Sequence, residues 1–80
     1  MKLYKKKPVV IAATRLTNIE QVQELVKLGC PIYINENSKM IIRTLEGEME
    51  VRPFDYVIQG IAEEWYSCSA KIFHLTYEEV

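Results

Sequence analysis

The chain has one histidine, His74, so any nucleophile–imidazole pair would have to use it. Ser67 or Cys68 would be the nucleophile. An activated nucleophile needs a base within hydrogen-bond reach and a third group to orient that base. Neither residue stands in a Gly-x-Ser-x-Gly turn that would present it. Zinc sites draw on closely spaced ligand pairs, and Cys30, Cys68 and His74 supply none. The carboxylates are numerous: Glu46, Glu48 and Glu50 alternate, and Glu63-Glu64 and Glu78-Glu79 are adjacent. Paired acids serve glycoside chemistry only when a cleft holds the sugar between them. Solvated faces account for the same pattern. Gly29, Gly47 and Gly60 are isolated, so no glycine-rich phosphate cradle is written into the chain. These residues assign no catalytic group, cofactor or metal, and the expectation is a protein that is not an enzyme.

The aromatic residues are more informative. Tyr33, Tyr56, Trp65 and Tyr66 fall in or beside short strand-like runs, and Glu63-Glu64 directly precede Trp65-Tyr66. Trp and Tyr supply large contact area at low entropic cost. Tyr33, Glu63, Glu64, Trp65 and Tyr66 therefore form the expected partner-binding set. Neighbours on a strand face opposite ways, so one of Trp65 and Tyr66 should point inward and the other outward. Lys2, Lys5, Lys6 and Lys7, with Tyr4, could contact nucleic-acid phosphates. They equally make a solubilising arm.

The elements that must position these residues follow from patterning. Val9–Leu16 is rich in β-branched residues and predicts a strand, with Val9-Val10-Ile11 pointing to a central one. Thr17 and Glu20 have capping-box spacing. Ile19, Val22, Leu25 and Val26 then share a helical stripe, closed by Gly29 and Pro31. Ile32–Ile34 predicts a short strand and Asn35–Ser38 a turn. Met40–Leu45 and Glu48–Arg52 predict a hairpin about Glu46-Gly47, with Leu45 opposite Glu48 and Arg43 opposite Glu50. Met40, Ile42, Thr44, Met49 and Val51 would share its apolar face. Pro53–Asp55 reads as a turn, Tyr56–Gln59 as a strand ended by Gly60, and Trp65–Cys68 as another. Ser69–Ile72 reads as a helical turn and Phe73–Tyr77 as a last strand, in which His74 points away from Phe73 and Leu75. The fold class expected is α+β: a small, mostly antiparallel β-sheet with one α-helix after the first strand.

Eighty residues suit a single domain, 1–80, with a thin margin of stability. Ten basic residues against eleven acidic ones argue against a dedicated nucleic-acid binder. Two cysteines are few for a secreted domain of this size and point to a reducing compartment. The apolar run after Lys5–Lys7 is too short for a signal peptide, and no stretch approaches a membrane span. The expected location is the bacterial cytoplasm, away from membranes.

Several blocks carry a resemblance when taken together. Lys6-Lys7-Pro8-Val9-Val10-Ile11, Thr44–Val51, Pro53-x-Asp55-Tyr56-Val57-Ile58-x-Gly60, Glu64-x-Tyr66-x-Cys68, Ile72-Phe73 and Thr76-Tyr77-Glu78 resemble a group of small phage and prophage proteins, mostly of unknown function. The likeness spans nearly the whole chain. Phe54 and Glu63 stand where that group has glycine, and Ser67 and Ala70 where it has proline. The resemblance implies phage or prophage origin and supplies no catalytic residue. The leading expectation is a small phage-derived accessory protein that binds a host or phage protein, or another copy of itself as a homo-oligomer. Two alternatives stand beside it: an oligomeric module for a nucleotide-type small ligand, and nucleic-acid contact through the Lys-rich N-terminus.

Overall fold

In the computed structural model, which describes residues 1–80, six strands and two helices build two three-stranded antiparallel sheets. The class is α+β. The elements are β1 (Ala12–Arg15), α1 (Ile19–Lys27), β2 (Ile32–Ile34), β3 (Met40–Thr44), β4 (Gly47–Val51), β5 (Tyr56–Gln59), β6 (Trp65–Cys68) and α2 (Ala70–Thr76). One sheet has the order β1-β5-β6 and the other β2-β3-β4.

β1 is shorter than its sequence pattern suggests and lies at a sheet edge, not the centre. Val9 and Val10 precede it in no regular structure, exposed. Their apolar run therefore reflects an open surface, where burial on both faces was expected.

The capping box of α1 sits one residue later than Thr17 and Glu20 imply. Asn18 Oδ1 accepts from the Gln21 amide at 3.1 Å, and Gln21 Oε1 accepts from the Asn18 amide at 3.2 Å. The same Gln21 oxygen also takes the Thr17 amide at 2.6 Å. One side chain thus satisfies two orphan donors, and that decides the frame. Only Val22 and Leu25 of the expected stripe are buried; Ile19 and Val26 face solvent. At the other end Gly29, at φ 95°, lets the Gly29 amide reach the Val26 carbonyl and the Cys30 amide the Leu25 carbonyl. This double closure is the glycine-ended cap its sequence predicts.

The β3–β4 hairpin forms with its register displaced. Thr44 pairs with Gly47, Arg43 with Glu48, Ile42 with Met49 and Met40 with Val51. The loop residues are Leu45 and Glu46, and Gly47 follows them at φ 120°. Glycine absorbs the reversed backbone after the turn, not within it. The displacement is two residues, so Met40, Ile42, Thr44, Met49 and Val51 keep a common face. The Arg43–Glu50 pair is lost; Glu50 instead meets Lys39 at 3.3 Å.

Phe73–Tyr77 is not a strand. Ser69 Oγ accepts from the Ile72 amide at 3.3 Å and starts α2, which runs to Thr76. The cap turns an alternating sequence into a helix whose Phe73 and Tyr77 lie on one side.

The core joins both sheets to α1. Ile32, Ile42 and Val51 from one sheet meet Val57 from the other, with Val22 and Leu25 from the helix and Leu16 and Cys30 from the connecting segments. Met40 and Trp65 close it. Only ten of the 80 residues are buried, so the core is shallow.

Candidate protein-interaction surface

β6 positions most of the expected set. Its pairing with β5 puts Trp65 opposite Gln59 and Tyr66 opposite Ile58. Trp65 turns to the core and packs on it. Tyr66 turns to the other face, where its hydroxyl lies 3.3 Å from that of Tyr77. Both remain half-buried, so neither is wholly in or out. Loss of hydration, then the Tyr77 hydrogen bond, pushes the Tyr66 phenol up to about 12.

Glu63 and Glu64 diverge in role. Glu63 sits in the β5–β6 turn at φ 63°, exposed. Glu64 folds its carboxylate over Gly60, where any Cβ would collide with it. Its Oε2 is buried and has no hydrogen-bond partner.

A groove of about 500 Å³ runs beside β6. Glu64, Trp65 and Tyr66 form one wall, and Arg43, Leu45 and Met49 of the hairpin form the other. Leu45, at the hairpin tip, is 99% exposed. The Ser67 amide donates to Met49 Sδ at 3.3 Å, so Ser67 directs its backbone away from β5. Trp65, two residues away, presents its N–H and C=O on the same side. β6 is the last strand of its sheet. The groove thus combines a strand edge outside the sheet pairing, its Ser67 amide taken by Met49, with exposed apolar side chains and one cation.

Tyr33 is not in the groove lining, but Arg43 connects it. The Arg43 guanidinium lies 4.8 Å from the Tyr33 ring centroid, and the Tyr33 hydroxyl donates to Glu48 Oε2 at 2.7 Å. That hydrogen bond is the main cause of the raised Tyr33 phenol pKa. Glu63 alone of the expected set stands apart from the groove and from Arg43. Arg43, Leu45 and Met49 were missed because their role depends on the sheet–sheet packing. Patterning puts Leu45 in a strand, so its place at the exposed tip follows only from the displaced register.

A second feature was not anticipated. On the outer face of the first sheet, the Tyr56 and Phe73 rings stack at 3.7 Å with 3° between planes. His74 meets both edge-on. Its Nε2 is 3.5 Å from the Tyr56 hydroxyl, so His74 stands on a helix beside tyrosine and not on a strand. Phe73 also packs on Tyr77 at 5.0 Å. The i, i+4 spacing of Phe73 and Tyr77 was the signal for this cluster.

No group of three or more His, Cys, Asp or Glu side chains comes together as a metal site. Cys30 and Cys68 are free thiols. Burial raises both, Cys30 to about 11. A thiol so raised is a poor nucleophile at neutral pH. No helix is long and apolar enough to cross a membrane.

Comparison with protein-family models, curated proteins and solved structures finds no match for the chain.

Proposed function

We propose that this is a phage-derived accessory protein that acts by binding a host or phage protein along β6, without catalysing a reaction. The observation that carries the reading is the groove beside that strand. The Trp65 amide and carbonyl on the outer edge of β6 offer main-chain hydrogen bonds, and Trp65, Leu45 and Met49 offer apolar contact. An extended segment of a partner added to a sheet edge uses both. The phage origin rests on the sequence blocks that resemble small phage proteins.

The test compares the parent chain with Leu45→Asp as bait in bacterial lysate. A partner is then purified and titrated with each form. Tighter binding by the parent, by about tenfold or more, supports the reading. Equal affinity sinks it.

A nucleotide-type small ligand is the second reading. Arg43 favours it as the one basic residue lining a groove that also holds Trp65 and Tyr66. A volume of this order suits a small ligand. Thermal unfolding with a nucleotide panel separates the two, because a ligand that binds only the native state raises the midpoint. No rise with any nucleotide rejects this alternative.

A further inference from the structure

A different surface carries a proposal about self-association. The segment Met1–Lys7 has no regular structure, and Met1 and Leu3 bury nothing, while Tyr4 is 89% exposed. Its pattern is apolar and basic: Met1, Leu3 and Tyr4 among Lys2, Lys5, Lys6 and Lys7. Across the outer face of the first sheet runs a groove of about 600 Å³, lined by Val10, Ile11, Tyr56, Phe73 and Tyr77. Glu78 and Glu79 are exposed members of the same lining. The one ion pair of the chain is Lys39–Glu50, so neither these glutamates nor the four lysines have a charged partner. The groove wants what the segment carries.

The segment does not fill the groove of its own chain. The chain leaves that groove at Val9, Lys6 and Lys7 run on beside Thr76, Tyr77 and Glu78, and Pro8 biases Lys7 towards extended backbone, against the tight reversal that Met1–Lys5 would need to return. One contact holds its base: Lys6 Nζ donates to the Tyr77 hydroxyl at 3.4 Å and stands 5.2 Å from that ring centroid. This contact shows an alkylammonium group meeting the aromatic wall. The five residues before Lys6 reach about 17 Å when extended.

We propose that the chain forms a two-fold dimer in which Met1–Lys5 of each copy lies in the aromatic groove of the other, while Lys6 stays on the Tyr77 of its own chain. The exchange is reciprocal, so the assembly closes at two copies. Apolar side chains of the segment cover Tyr56, Phe73 and Tyr77, and its lysines face Glu78 and Glu79.

Sedimentation of the full chain across a concentration series tests this. The expected species has twice the 9.4 kDa chain mass. Leu3→Asp with Tyr4→Asp should raise the dimer dissociation constant about 100-fold, with the unfolding transition of the monomer unchanged. Glu78→Lys with Glu79→Lys should weaken the dimer, and mixing that variant with Lys2→Glu, Lys5→Glu chains should restore association. In a sample mixing isotope-labelled and unlabelled chains, filtered NOEs should connect Leu3 and Tyr4 to Phe73 and Tyr77 of the other copy. A chain still monomeric at about 1 mM overturns the proposal. So does a dimer indifferent to the double Asp variant, or NOEs found only within one chain.

Discussion

Phe54 and Glu63 carry backbone angles that cost them energy. Their φ values are 71° and 63°, in the left-handed region where a Cβ crowds the following carbonyl. Phe54 is partly compensated: Arg15 lies 5.6 Å from its ring and donates from Nε to its carbonyl at 3.3 Å. Glu63 has no side-chain hydrogen bond or ion pair to offset the strain. Glu63→Gly is therefore expected to stabilise the fold by about 0.5–1 kcal/mol, raising the melting temperature by a few degrees. Phe54→Gly should gain less, because it removes the ring beneath Arg15. Calorimetry of the two variants checks the order, and an unstable Glu63→Gly would contradict the argument. Cys30, which is buried, and Tyr66, which is half-buried, make stability depend on alkaline pH. Cys30 is raised from 9.0 to about 11 and Tyr66 from 10.0 to about 12. Each binds its proton more tightly folded than unfolded, so their contribution is full below about pH 9 and is lost as pH rises through the folded values. Thermal melts should show a midpoint that falls across the alkaline range. Tyr66→Phe should flatten the upper part of that fall, and a midpoint that climbs there would refute it.

Elements were legible where a local device fixes them and obscure where two devices compete. Gly29 and Pro31 place the end of α1 because only one backbone geometry closes it. The faces of the β3–β4 hairpin were legible from alternation. Its register was not, because a displacement of two residues preserves every face. At the C-terminal end, Phe73, Leu75 and Tyr77 alternate as a strand would, while Phe73 and Tyr77 also fit one side of a helix. The Ser69 cap settles the contest, and the aromatic floor under Tyr56 follows from it. Tyr33 could be named from its type, but its link to the groove through Arg43 depends on a register that patterning leaves open. The same cap supports a prediction. Ala70 is the first residue of α2, where an amide has no intrahelical acceptor. Ser69 before it has φ −62° and ψ 150°, which a following proline favours. Ala70→Pro should therefore stabilise the chain by about 0.5 kcal/mol and raise the melting temperature without altering the fold. A lower midpoint, or loss of helical circular dichroism, would show that α2 starts otherwise.

At the scale of the whole molecule, a shallow core makes stability and binding share residues. Ten buried side chains hold two sheets and a helix, and Trp65 packs on that group while also bordering the groove. A chain of this length has a total stability of about 4–12 kcal/mol. Truncating a half-buried tryptophan costs a sizeable part of it, up to about 3 kcal/mol. Trp65→Ala is thus expected to lower both melting temperature and partner affinity, and its lost binding alone would not locate the interface. Leu45 separates the two effects. It is almost wholly exposed at the hairpin tip, and nothing in the core depends on it. Leu45→Asp should change stability by less than about 0.5 kcal/mol while weakening association along β6. Measured together by thermal melt and titration, the pair distinguishes an interface at the groove from mere loss of fold. Should Trp65→Ala bind normally under conditions where it remains folded, the interface lies elsewhere. Should Leu45→Asp melt early, the hairpin tip belongs to the core and the groove is not a free surface.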